Sequence, residues 1–463
     1  MVVASRIVKR CAVALAALAS GYALAAQFGV LHNGVAAAGR PHAVSAADRL
    51  VAQGRNVFRY DTFGDQAVWG GVLGLHKAIE GAKLGGIGPG VSPKTALALG
   101  LKVDATKIPP KVAAAIKAGK VNLNDPGVTV TLLKLNAVVG VKGFFDKKGS
   151  LSSVGITCAV CHSTVDNSFA PGIGKRLDGW PNQDLNVGAI VAAAPNLKPL
   201  ESALNVDEAT VKKVLLGWGP GFFNAELNLD GKAVGPDGTP KSAATRIPSA
   251  FGKNGQNLHT WEGGWGSVTY WNAFVANLEM HGLGNFMDAR LDNKAKFPIA
   301  AAAGFGHTHP YVGEGVLPAP SQAQAPDEIT EALRALDFYQ HALPAPRPPK
   351  GSFDAAAARR GKSVFDGAGK CSSCHMGSLG SAPGYNAVKP SQICIDSFAA
   401  DRGPDGTYTI APLQALFTRS KRGFYHDGRF KTLLDVVNHY DSCFNLHLSA
   451  QQRSDLVQYL KSR

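Results

Sequence analysis

Two short stretches decide how this chain is read: Cys158-Ala159-Val160-Cys161-His162 and Cys371-Ser372-Ser373-Cys374-His375. In each, two thiols stand three positions apart with an imidazole directly after the second. Two sulfurs on one helical turn can reach the two vinyl groups of a haem, and the next side chain then falls beneath the iron, so CxxCH reads as covalent attachment of haem c. A zinc site would also use paired CxxC, but with a short span between pairs, and here 213 residues separate them. A thioredoxin-type redox motif needs no histidine after its second cysteine. The expected cofactors are therefore two covalently bound haem c groups, attached through Cys158, Cys161, Cys371 and Cys374. His162 and His375 are the expected proximal iron ligands.

Export agrees with this reading. Arg6, Lys9 and Arg10 precede an apolar, alanine-rich run from Cys11 to Ala26, and Ala23-Leu24-Ala25 has the small-x-small pattern of a cleavage site. Residues 1–26 are read as a signal peptide and the periplasm as the destination, an oxidising compartment in which a disulfide persists. Cys394 and Cys443 are the remaining cysteines after the signal, and they are expected to pair with each other. Loss of the three basic residues lowers the net charge from +14 to about +11, and a basic surface favours an acidic protein partner or an anionic membrane face. Nothing resembles a nucleic-acid module.

The 463 residues allow two or three domains. Ala355 to Phe365 is helix-compatible and carries Gly361 shortly before the second motif, and Ser449-x-x-Gln452 opens a C-terminal helix as a capping box. A helix before CxxCH crossing a C-terminal helix at a glycine is the layout of a small cytochrome c domain. Val138 to Phe145 (VVGVKGFF) is expected to make the equivalent approach to the first motif. The chain is thus divided into residues 27–145, an N-terminal segment of uncertain fold; 146–342, a first cytochrome c-type haem domain; 343–350 (LPAPRPPK), a Pro-rich linker; and 351–463, a second haem domain. No long β-alternation is present, so the fold is expected to be mainly α with long loops.

Phe424-Tyr425-His426-Asp427-Gly428-Arg429 followed by Thr432 to Tyr440 (TLLDVVNHY) resembles the bacterial di-haem cytochrome c peroxidase and MauG-like superfamily, as does Trp261-Glu262-Gly263. The resemblance covers roughly residues 150–463. It implies a C-terminal haem whose sixth ligand lies fourteen residues after the HDG-type histidine, which is Tyr440. Helical periodicity puts Leu433, Val436, Val437 and Tyr440 on one face, with His439 the alternative ligand. For the N-terminal haem the resemblance implies a catalytic carboxylate just before a Met, here Glu279 before Met280. It stands eighteen residues after Trp261, two short of the family spacing, with Trp271 at the offset of the usual Gln. Met280, His281, Met287, His307 and His309 are alternative groups that could cap this iron. Trp180, eighteen residues after His162, corresponds to a tryptophan that relays electrons between haems. Trp69 and His76 read as structural.

The function expected is that of an exported di-haem oxidoreductase. A small-molecule oxidant such as hydrogen peroxide would react at the N-terminal haem, and a redox partner protein would exchange electrons through the C-terminal haem. The rivals are a non-enzymatic electron carrier with both haems six-coordinate, and a haem oxygenase resembling the di-haem polyisoprene-cleaving enzymes.

Overall fold

The computed structural model describes residues 45–463 except 257, 259, 309–326 and 383–386. The export signal read over residues 1–26, and His309, lie outside the described residues. Among the described residues no helix is long and apolar enough to cross a membrane.

The elements that place the motifs are α1 (Ala46–Tyr60), the hairpin β1 (Val141–Phe145) and β2 (Leu151–Ile156), and the short helix α2 (Ala159–His162). They are followed by α3 (Leu227–Asp230), α4 (Val268–Phe274), α5 (Thr330–Ala342), α6 (Ala355–Asp366), α7 (Leu433–Cys443) and α8 (Ala450–Lys461). The structure is mostly helical, as expected. Among the described residues its strands run two to six residues and pair only in two-stranded sheets.

The helix before the second motif does cross the C-terminal helix. Asp354 starts α6 by accepting from the Ala356 and Ala357 amides at 2.7 and 2.8 Å. Ser449 and Gln452 form the reciprocal box that starts α8. At the crossing a Cβ on Gly361 would overlap the Asp455 carbonyl oxygen, so only glycine allows these backbones to touch. Phe365 and Tyr459 then meet edge to face at 5.0 Å, and Arg360 forks onto Asp455 at 2.7 and 2.8 Å.

The same device recurs where the sequence division did not place it. α1 packs on α5, and a Cβ on Gly54 would overlap the Ala335 carbonyl oxygen. Phe58 meets Tyr339 edge to face at 5.6 Å. In both crossings the glycine precedes its phenylalanine by four positions, and a tyrosine on the partner helix stands four beyond the touched carbonyl. The sequences concur: Gly54-Arg55-Asn56-Val57-Phe58 and Gly361-Lys362-Ser363-Val364-Phe365 are one repeated pattern. Residues 46–60 therefore pack with the C-terminal part of the segment assigned to the first haem domain.

The expectation for Val138 to Phe145 is corrected. Residues 141–145 are β1, not a helix, paired antiparallel with β2 from Val141 opposite Ile156. Valines and the Phe144-Phe145 pair favour a pleated, half-buried surface. The stretch still supports the motif, because Gly140, at φ 77°, lies flat against the Val160 backbone and its carbonyl accepts from the Thr157 amide at 3.0 Å.

Gly361→Val and Gly54→Val should each destabilise the protein by about 2–3 kcal/mol. Gly71→Ala, where the nearest atom to a new Cβ is 3.8 Å away, should change it by less than about 0.5 kcal/mol. Thermal or denaturant unfolding of the three variants checks this.

Candidate functional site

At the first motif, Cys158 caps α2 and His162 ends it. The Gly179 and Asn182 amides hold the carbonyls of His162 and Cys161, each at 2.8 Å. The imidazole Nδ1 lies 3.0 Å from the Pro248 carbonyl. A carbonyl only accepts, so Nδ1 carries the proton and Nε2 keeps a free lone pair. Burial, then the nearby Lys253 ammonium, brings the imidazole down to about 4, which keeps it neutral and able to ligate. Burial pushes both the Cys158 and Cys161 thiols up to about 12. Neither is in a disulfide.

Cys158, Cys161, His162, Glu279 and His281 all lie deep in the protein, yet each keeps part of its surface accessible. Glu279 ends a turn of π-helix, Val275–Glu279, that continues α4; such turns often mark functional positions. Burial first, then Glu226, holds its carboxyl well above the usual range, and it is the charged neighbour that raises Cys161. Its Oε1 has no hydrogen bond among the described residues. The structure thus places Glu279 beside the first motif.

Of the alternatives, Met280 packs in the apolar cluster that also touches Cys158. His281 is half-buried at a left-handed φ of 61° with its ring 6.2 Å from Trp69, whose Nε1 donates to the Met280 carbonyl at 2.9 Å. Met287 is exposed. His307 is exposed and paired with Asp292 at 2.5 Å. Trp271 stacks on Phe274 at 4.8 Å.

The second motif lines a cavity of about 520 Å³. Cys371, Cys374 and His375 form part of its wall, and Leu433, Val436, Val437 and Tyr440 of α7 form another. His375 Nδ1 is 2.8 Å from the Gly380 carbonyl, and burial lowers its pKa. The arrangement repeats that of His162. Tyr440 and His439 separate here. Tyr440 is in the lining, and its phenol is pushed up to about 12 by burial. His439 is absent from the lining, and its Nε2 is engaged 2.8 Å from the Ile393 carbonyl. His426 lines the wall, stacked on Tyr408 at 4.9 Å.

Cys394 and Cys443 form a disulfide. It joins the turn at Pro390–Ile393 to the end of α7, so the loop that accepts from His439 and the helix that carries Tyr440 are tied together.

Trp180 packs between two phenylalanines. Its ring meets Phe251 edge-on at 6.5 Å and Phe417 at 5.6 Å. Phe251 follows the loop that holds His162, and Phe417 adjoins Leu416 of the second cavity wall. Gln183 donates to the Thr418 carbonyl and accepts from Arg422 Nε at 2.8 Å through its own carbonyl, fixing this contact.

Sequence reasoning missed the cations. Arg246 and Arg419, 2% and 7% exposed, line the second cavity, and no Asp or Glu does. Their Nε atoms have no hydrogen bond among the described residues. Burial, then Arg419, brings Arg246 down to about 9, and burial brings Arg419 down to about 10. Lys253, buried nearby, falls to about 7. None of the three makes an ion pair among the described residues.

No family model and no curated protein matches the chain. Among solved structures it is similar to hydrazine synthase from Kuenenia stuttgartiensis, at 18% identity over 48% of this chain and 72% of that one. The TM-score of 0.27 is too low to carry an argument.

The residues present fit a haem. Buried cations without counter-charges are costly, and the two propionates of a haem are anions that an apolar cavity with two unpaired guanidinium edges accommodates. The thiols are free, and the imidazoles are neutral with Nε2 available. Among the described residues no three His, Cys, Asp or Glu side chains converge as a metal site, so the two cysteine pairs do not form one four-cysteine set.

Tyr440→Phe should change the visible absorption of the C-terminal haem, and His439→Ala should leave it in place; the spectra of the two purified variants check the assignment. Replacing Cys394 and Cys443 together with serine should lower stability by about 2–5 kcal/mol, read from denaturant unfolding under non-reducing conditions.

Proposed function

We propose that the chain is an exported, periplasmic di-haem c-type cytochrome that reduces a peroxide at its N-terminal haem. Electrons would come from a redox partner protein by way of the C-terminal haem. The observation that carries this reading is Glu279, an enclosed carboxyl that acts electrostatically on Cys161 and directly precedes Met280, which packs in the apolar cluster touching Cys158. A bound haem supplies the iron that holds the oxidant and passes it electrons.

The residues supply the rest. His162 and His375 would hold the two irons through Nε2. Arg246 and Arg419 would hold propionates of the C-terminal haem, and Tyr440 would face its remaining side. Glu279, whose carboxyl burial and then Glu226 hold well above the usual range, is the group that can pass a proton to the leaving oxygen as a peroxide bond breaks. The surrounding apolar cluster of Phe58, Val139, Ala159, Met280 and Leu336 excludes bulk water and strengthens that interaction. Trp180 offers a stepping site between the two motifs.

The electron-carrier reading has one observation in its favour. His281 is half-buried next to Met280, and a protein ligand from this turn on the first iron would close the site. Electron paramagnetic resonance of the oxidised holoprotein separates the two readings: the enzyme requires one high-spin ferric signal, and two low-spin signals would establish the carrier. Glu279→Gln should lower peroxide turnover by about 10²–10⁴-fold while leaving both haems attached. Unchanged turnover would remove Glu279 from the chemistry.

A further inference from the structure

Both flanks of the first motif carry a buried hydroxyl, and both hydroxyls lead to one arginine of α1. Thr157, 1% exposed, directly precedes Cys158, and its Oγ1 donates to the Arg59 carbonyl at 3.2 Å. Ser163, fully buried, directly follows His162, and its Oγ donates to Asp178 Oδ1 at 2.9 Å. The other oxygen of that carboxylate, Oδ2, accepts from Arg59 Nε at 2.5 Å and from the Tyr339 hydroxyl at 2.6 Å.

Asp178 is placed to hold the histidine. It ends a short strand, Arg176–Asp178, that pairs antiparallel with Ser163–Val165, and Ser163 and Asp178 stand opposite each other. Gly179, next in the chain, donates its amide to the His162 carbonyl at 2.8 Å. The carboxylate is thus bonded to the residue after His162, and its chain neighbour to the backbone of His162 itself. The Asp178 side chain is 3% exposed and that of Arg59 25%. Arg176, two positions earlier, has its own counter-charge in Asp104 at 3.5 Å, so Asp178 and Arg59 balance each other.

The second motif has no such bracket, although its helix crossing is built alike. In the repeated pattern the residue after the phenylalanine is Arg59 in the first copy and Asp366 in the second. Asp366 is exposed and pairs with Lys362 of its own helix. Lys370 and Met376 flank the second motif, and neither carries a hydroxyl. A requirement of the crossing, or of the CxxCH turn, would be met in both copies. The bracket is therefore particular to the first motif, where a carboxylate, a guanidinium and two more donors are devoted to the backbone on either side of His162. Desolvating an ion pair is costly, and a plain apolar contact would join the same elements.

We propose that Arg59 and Asp178 are positioning residues of the N-terminal haem: as one ion pair gripping both flanks of the first motif, they orient His162 and set the reduction potential of its iron, which makes α1 part of this haem site. The proposal rests on the di-haem reading and not on the identity of the oxidant. Groups that orient a histidine ligand tune the metal it holds, and fixed charge nearby shifts the balance between ferric and ferrous iron. Ferrous iron carries one positive charge fewer. Asp178→Asn leaves the Arg59 guanidinium without its counter-charge, which favours the ferrous state. Arg59→Gln leaves the Asp178 carboxylate without its own, which favours the ferric state. A bracket that only stiffened the fold would respond to either loss in the same direction.

The test is a redox titration of the purified holoprotein followed by electron paramagnetic resonance. The haem in question is the one missing from the protein carrying Cys158→Ala and Cys161→Ala. At the wild-type midpoint of that haem, Asp178→Asn should leave it mostly reduced and Arg59→Gln mostly oxidised. The double variant should return towards the wild type, with the other haem unmoved in all three. Ser163→Ala and Tyr339→Phe keep every charge, so they carry the test where a charge variant fails to fold; each should change the resonance of the same haem and not that of the other. Folded charge variants whose midpoints stay put or move in one direction overturn the proposal and leave the di-haem reading standing, as do unchanged resonances in both Ser163→Ala and Tyr339→Phe. A wild type without haem at the first motif overturns that reading, and the proposal with it.

Discussion

A single hydrogen bond aims each motif histidine, and the rest of the site depends on it. The Pro248 and Gly380 carbonyls take the Nδ1 protons of His162 and His375, which fixes the tautomer and leaves Nε2 as the only ring atom able to bind an iron. Neither carbonyl is placed by its own loop alone. The Pro248 loop is tied back by the Ala250 amide to the Gly179 carbonyl, and Gly179 in turn holds the His162 carbonyl; Gly380 is fixed by its own amide to Met376 and by the Leu413 amide to its carbonyl. The motif and the segment that orients its histidine therefore form closed circuits, and neither can move without the other.

Around those circuits the fold uses one solution twice. A helix touches a partner helix at a glycine, and a Phe–Tyr pair locks the crossing, once with Gly54 and once with Gly361. In the second case the motif follows its helix within a few residues. In the first, almost a hundred residues intervene, folding into the hairpin that backs the motif and into a large apolar cluster built jointly with residues after the motif, from Ile173 to Ala244. Charge is distributed to match. Arg246 and Arg419, without ion pairs among the described residues, line the cavity of the second motif, Glu279 acts on Cys161 of the first, and Trp180 meets Phe251 and Phe417.

What the sequence made legible was what is local or periodic. The CxxCH spacing, the Ser449 capping box, the Gly361 crossing and the α7 face ending in Tyr440 all lie within one or two helical turns, and the structure has each where the pattern puts it. The Cys394–Cys443 pairing followed from there being two cysteines left. The GRNVF and GKSVF repeat was present in the sequence, but the long insertion after the first copy separates it from its motif and hid the role of α1. Val138 to Phe145 departs from the expected helical approach because the β preference of its valines and paired phenylalanines outweighs proximity to the motif. Arg246, Arg419 and Asp178 carry no local pattern at all. Their significance comes from partners of their side chains up to 179 positions away, and only folding brings those together.

The central claim is that both motifs carry covalent haem. Peptide mass spectrometry of the protein made in an exporting host with haem c assembly tests it most directly. The account predicts that the peptides spanning Cys158–His162 and Cys371–His375 each retain one haem after denaturation, bound through both cysteines. Recovery of either peptide with two free thiols and no porphyrin mass would contradict it.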